Sequence, residues 1–158
     1  MPDDPPLSMD DGRRNPATGV HLTLDSPVIV LLTVNTLDRN PWLAHQEPHR
    51  LLHEVWLEAT AWLVSDYVLM PDHLHCFCAP RDLSFSIERW ISFWKTTFRW
   101  KHGRKEWKFQ SRGWHHRLRD GESYSQKWIY MRENPVRKGL VTLPDDWPYQ
   151  GRVHDVRW

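Results

Sequence analysis

Apolar residues along the chain fall alternately into short unbroken runs and into helical stripes. SPVIVLLTVNT, residues 26–36, is β-branched and continuous, as expected of a buried strand. Leu51, Leu52, Val55, Trp56 and Ala59 then recur at three- to four-residue spacing, which predicts an amphipathic helix over about residues 48–58, with Pro48 in its first turn. AWLVSDYVLM and HLHCFCAP read as two strands joined by a tight turn at Pro71-Asp72, a β-hairpin. From Ser84 the period becomes 3.6. Ile87, Trp90, Ile91, Trp94 and Phe98 form one apolar stripe, and Ser92, Lys95, Arg99 and His102 line the opposite side. WKFQSRGWHHRLRD reads as a short strand or extended loop. GESYSQKWIYMRENPVRKGL reads as a helix entered after Asp120-Gly121 and stopped near Pro135. The tail reads as irregular, with Trp147 and Tyr149 docked on the body.

This order predicts an α+β fold of the ferredoxin-like (split βαβ) kind, an antiparallel sheet with helices on one face. The other face would stay open for a ligand.

Composition narrows the picture. The chain has 158 residues, enough for one domain with a real core, and its 11 Trp supply large apolar area. Residues 1–22 are rich in Pro and Asp and are expected to form a disordered acidic tail, leaving residues 23–158 as one domain. The N-terminus has no apolar segment of the signal-peptide kind, and no run is long enough to span a bilayer, so no membrane association is expected. Cys76 and Cys78 are too close on one strand to pair with each other, which suits a reduced, cytoplasmic protein.

The net charge of +1 hides a segregation. Residues 89–119 carry 10 basic residues and 1 acidic residue, while residues 1–58 carry 4 and 9. A basic stretch of this density is either a solvated surface or the footprint of a polyanion. Lys95, Arg99, Lys101, Arg104, Lys105, Lys108 and Arg112 can track phosphates, and Trp100, Trp107 and Trp114 are interleaved with them for stacking on unpaired bases.

Four polar residues can carry chemistry. In the strand HLHCFCAP, His73 and His75 point to one face, so they form a metal half-site, an acid–base pair, or two ordinary edge residues. Cys76 and Cys78 alternate to the other face, which argues against one zinc site using all four. In the last helix Tyr130 lies off the stripe Tyr124, Trp128 and Met131, on the side of Gln126, Glu133 and Asn134. It either presents its hydroxyl to a ligand or caps the core edge. Asn134 lies one turn later, near the helix end because Pro135 follows; it is a C-cap or a third, amide-oxygen ligand beside the two histidines.

MPDHLH together with YMRENPVRKGLV resembles the HUH superfamily of single-strand DNA nucleases and transposases, and most closely the REP-associated tyrosine transposases and related insertion-sequence transposases. His73-Leu74-His75 matches the HUH element. Tyr130 followed by Asn134-Pro135-Val136-Arg137 and Gly139-Leu140-Val141 matches the second signature. The resemblance runs over about residues 26–150. It implies an HUH-type fold in which Tyr130 is the nucleophile, and His73, His75 and Asn134 hold Mg²⁺ or Mn²⁺. It further implies a 5′-phosphotyrosine intermediate and a partner of single-stranded DNA bearing a hairpin, either a REP-like repeat or an element end. The expected protein is a bacterial, nucleoid-associated monomer or homodimer. Lys95, Arg99, Lys101 and Arg112 are the expected DNA contacts. Where the family often carries Asn, this chain has Asp72. The alternatives are a domesticated, non-cleaving binder of REP-like hairpins and a structural metal protein unrelated to DNA.

Overall fold

The computed structural model describes residues 28–118 and 121–156; the expected tail, residues 1–22, lies outside them. Strand β1 is Ile29–Asn35, helix α1 Gln46–Glu58, β2 Trp62–Met70, β3 His73–Pro80 and α2 Ile87–His102. Next come β4 Trp114–Leu118, α3 Gly121–Arg132, the short helix α4 Asn134–Arg137, and β5 Gln150–Arg152. The sheet order is β4-β1-β3-β2-β5 and every pairing is antiparallel. Strand β3 lies between β1 and β2, so the β1-α1-β2 unit is split as the sequence predicts, and the expected α+β ferredoxin-like sheet is observed.

Alternation along the strands builds two cores. Val30, Leu32 and Val34 of β1 join Leu74, Cys76 and Cys78 of β3 beneath α1 and α2. There the predicted stripes are buried, from Leu51, Leu52, Val55 and Trp56 to Trp90, Trp94 and Phe98. Trp56 and Trp94 meet edge to face at 5.5 Å, and truncating either to Ala is expected to cost about 3–5 kcal/mol. Helix α2 starts where the Ser86 hydroxyl accepts from the Arg89 N–H, and it ends at Gly103, whose φ of 63° suits a residue without a Cβ.

The second face differs from expectation. It is covered in part: Ile29, Val68, Met70, Phe77 and Leu118 form a smaller core with Met131 of α3 and Trp147 of the C-terminal segment. The Trp147 indole donates to the Leu69 carbonyl at 2.9 Å, so the expected docking is observed. The tail is also not wholly irregular, because β5 pairs with β2 through Tyr67 and Gly151. Three residues including a glycine carry no readable alternation, and only the partner strand defines that element.

Candidate active site

The hairpin between β2 and β3 turns at Pro71-Asp72, and β3 begins at once with His73. The two imidazoles share the second face, with ring centroids 5.0 Å apart. Nδ1 of His73 lies 2.8 Å from Oδ1 of Asp72, and a carboxylate can only accept, so Nδ1 carries the proton. The other Asp72 oxygen accepts from Nε of Arg39 at 3.0 Å. Arg39 reaches it from a tight turn in which Asp38 and Arg39 adopt φ of 58° and 56°. Such left-handed backbone costs on the order of 1 kcal/mol per residue, so the turn holds its shape against a local preference. Nδ1 of His75 is paired at 2.9 Å with the Thr33 hydroxyl, from the directly opposite position on β1.

Burial lowers the His73 pKa, outweighing the upward pull of Asp72, and the charges of Arg39 and Lys138 add to the lowering. Burial, His73 and Arg137 bring His75 down to about 4. Burial pushes the Asp72 carboxyl up, but hydrogen bonds from His73 and Arg39 overcome this and hold it below its usual value. Both imidazoles are thus neutral at pH 7, tethered through Nδ1, with Nε2 left to bind. This is the form in which histidine ligates a cation. The donor set fits a divalent ion completed by oxygen atoms. Among the described residues no group of three or more His, Cys, Asp and Glu is placed to hold one.

Helix α3 carries Tyr130, and three contacts fix it to the sheet. The Tyr124 hydroxyl donates to the buried Asp66 carboxylate, which also takes a two-pronged ion pair from Arg152 at 3.0 and 3.1 Å. Phe77 packs against Tyr124 at 4.2 Å, and Met131 is buried. Tyr130 itself is 65% exposed. Its ring lies under the Arg137 guanidinium at 3.7 Å, and Arg137 also donates to the Tyr130 carbonyl at 2.9 Å. Pro135 does not simply stop the helix: it sits in the first turn of α4, which runs on and delivers Arg137 back over the tyrosine. Asn134 opens α4 and is half-buried, and its carbonyl accepts from the Lys138 N–H at 3.0 Å. The structure therefore brings His73 to His75 and Tyr130 to Arg137, whose charge acts on His75.

A groove of about 790 Å³ runs between α2 and residues 107–115 on the first face. Lys95, Arg99 and Arg112 line it together with Lys108. Lys101 does not: its Nζ lies 3.8 Å from Glu58. The Lys95 ammonium donates to the Gln110 carbonyl at 2.6 Å, and burial lowers its pKa to about 8. The three tryptophans separate as well. Trp107 stacks on Trp42 at 5.6 Å and belongs to the core, whereas Trp100 and Trp114 are 84% and 61% exposed.

The REP-associated tyrosine transposase of Escherichia coli (strain K12) is 32% identical over 133 residues, spanning 78% of this chain and 76% of that protein. This chain belongs to the REP-associated tyrosine transposase family. A second relative of that family name, from Haemophilus influenzae, is 28% identical over 104 residues, spanning 56% of this chain and 58% of its own length. A solved structure of a REP-associated tyrosine transposase bound to a REP hairpin shares the fold, with a TM-score of 0.67 at 23% identity, covering 79% of this chain and 76% of that one. No protein-family model matches the chain.

For a member of the REP-associated tyrosine transposase family, the sequence reading missed the residues that hold the site in place. Thr33 tethers His75, Arg39 steadies Asp72, Asp66 anchors α3, and Arg137 covers Tyr130. Arg137 lay inside the matched motif, but nothing in that motif says that it folds back over Tyr130. Thr33 reaches His75 through strand register and Arg39 reaches Asp72 through a tight turn, which no local spacing announces. Among the described residues no helix is long and apolar enough to cross a membrane.

Proposed function

We propose that this chain cuts and rejoins single-stranded DNA beside hairpins of the REP type, using Tyr130 as nucleophile. The observation that carries the reading is the placement of Arg137, which lies over the Tyr130 ring while its charge acts on His75. Membership of the transposase family, and a relative seen with a REP hairpin, support the substrate class.

In the reaction Tyr130 Oη attacks the scissile phosphorus and the P–O3′ bond breaks. The phenol proton leaves to water, the 3′ oxygen takes one up, and the 5′ phosphate stays on the tyrosine. The phosphotyrosine ester retains the phosphoester energy, so a 3′-OH can reverse the step and join strands without a nucleotide cofactor. His73 and His75 would hold a divalent cation through Nε2, with Asn134 supplying an amide oxygen. Bound there, the ion neutralises charge on the phosphate and lowers the cost of attack. The nitrogen donors favour Mn²⁺ over Mg²⁺, which prefers all-oxygen sites. Lys95, Arg99 and Arg112 contact phosphates along the groove.

The test is a covalent-adduct assay with labelled hairpins from the DNA flanking the gene, with Mn²⁺ or Mg²⁺. A protein–DNA band that Tyr130→Phe abolishes is the expected result. Cleavage persisting in that variant removes Tyr130 as nucleophile. Tight hairpin binding with no adduct under any metal leaves a non-cleaving binder.

A further inference from the structure

The register of the sheet places one exposed aromatic residue on the histidine face. Thr33 of β1 is directly opposite His75 on β3 and directly opposite Trp114 on β4. Facing residues on neighbouring strands share a side of the sheet, so Trp114, Thr33 and His75 form one row across three strands. Neighbouring strands lie about 4.8 Å apart, which puts Trp114 roughly 10 Å from His75, within the reach of a nucleotide bound at the histidines. The neighbouring row, His116, Leu31 and Phe77, belongs to the part of the face covered by the second core. Trp114 therefore emerges just where that cover ends. Its indole lies within 8° of parallel to the His116 ring at 6.4 Å, and His116 is itself 5% exposed, so the indole is backed by a fixed neighbour.

The position also lies on a route between the two charged regions. Gly113 and His115 line the basic groove on the first face, and Trp114, between them, points to the other. A strand leaving the groove past Arg112 and turning round the β4 edge meets Trp114 before it reaches the histidines. Arg137 and Lys138 supply positive charge at the histidine end.

We infer that Trp114 is a stacking platform for an unpaired base next to the phosphate held at His73 and His75. The occupant is single-stranded DNA, and the inference rests on the reading of this face as a phosphodiester site. An indole accepts any base on its π-face, so the platform fixes the path of the strand more than its sequence.

The experiment uses the full chain, fluorescence anisotropy and two labelled probes. One is an oligothymidine of about a dozen nucleotides; the other is an abasic oligomer of the same length. Trp114→Ala is expected to weaken oligothymidine binding about tenfold and to leave the abasic oligomer unchanged. Trp114→Phe is expected to retain most of the affinity. Phe93→Ala, which removes an exposed aromatic ring from α2 outside the basic groove, is expected to change neither. Unchanged oligothymidine binding in Trp114→Ala overturns the inference, and so does an equal loss on both probes. Because no cleavage is needed, absence of a Tyr130 adduct with this pattern intact removes only the catalytic reading.

Discussion

Nδ1 of His73 lies 2.8 Å from the carboxylate of Asp72, the residue just before it in the hairpin turn. That contact fixes which imidazole nitrogen is free, and the Arg39 pair fixes the carboxylate in turn. Removing the acceptor lets the ring rotate and exchange tautomers. Asp72→Ala is therefore expected to lower Mn²⁺ affinity about 10- to 100-fold, whereas Asp72→Asn keeps an accepting oxygen and stays near wild type. A calorimetric Mn²⁺ titration reads both. Equal affinity in Asp72→Ala and wild type rules out an orienting role.

The C-terminal edge strand has a separate vulnerability. A Cβ added at Gly151 would lie 2.9 Å from the Tyr67 hydroxyl, closer than real Cβ atoms come. That hydroxyl cannot retreat freely, because it is bonded to Nε2 of His49 at 2.7 Å and to Nδ1 of His53 at 3.2 Å. Gly151→Ala is expected to cost about 1–3 kcal/mol, seen as a fall in Tm of about 2–4 °C per kcal/mol. An unchanged Tm means that β5 shifts without loss.

What was legible in the sequence follows from where burial dictates spacing. Ile87 to Phe98 had to recur every three to four residues to face the sheet, so α2 could be read directly. His73 and His75 had to share a face once β3 was a strand. Thr33 and Arg39 could not be read, because Thr33 reaches His75, and Arg39 reaches Asp72, across more than thirty residues of chain. Trp100, Trp107 and Trp114 look alike in a basic stretch. Only the turn after Gly103, which folds Trp107 back onto Trp42, separates a core residue from two exposed ones.

The basic residues should differ in their salt response. Arg99 and Arg112 line one groove, and Lys101 lies apart beside Glu58. Arg99→Ala and Arg112→Ala should each lower the slope of log affinity against log salt for a single strand by about 0.7, one phosphate each. Lys101→Ala should leave the slope unchanged. A binding series over a range of salt concentrations decides, and a loss of about 0.7 in Lys101→Ala would place the strand on the other side of α2.

Lys95 is held in the groove against its own stability. Burial lowers its pKa to about 8, so the folded state releases the proton more easily than the unfolded chain, whose lysine titrates near 10.5. Below pH 8 both states carry the charge and the folded protein bears the whole burial penalty. Between pH 8 and 10.5 the unfolded chain binds more protons and stability rises with pH. Lys95→Met is accordingly expected to raise Tm by a few degrees, about 2–4 °C per kcal/mol relieved, at pH 7, with the gain fading as pH rises from 8 to 10.5. The same variant should bind single strands less tightly. A gain in Tm that does not fade with rising pH would point to packing instead of charge.

Arg137 lies 3.7 Å from the centre of the Tyr130 ring and holds the Tyr130 carbonyl. Tyr130 is otherwise exposed, so the guanidinium is what restricts where the hydroxyl points. A nucleophile placed about 1 Å off line loses on the order of 100-fold in rate, far more than binding would register. Arg137→Ala is expected to slow single-turnover adduct formation by about 10- to 100-fold while hairpin affinity at moderate salt changes much less. Arg137→Lys keeps the charge but lacks the planar group that stacks on the ring and bonds the carbonyl, so it should restore little of the rate. Full activity in Arg137→Lys would show that charge near His75, not the position of the ring, is what Arg137 contributes.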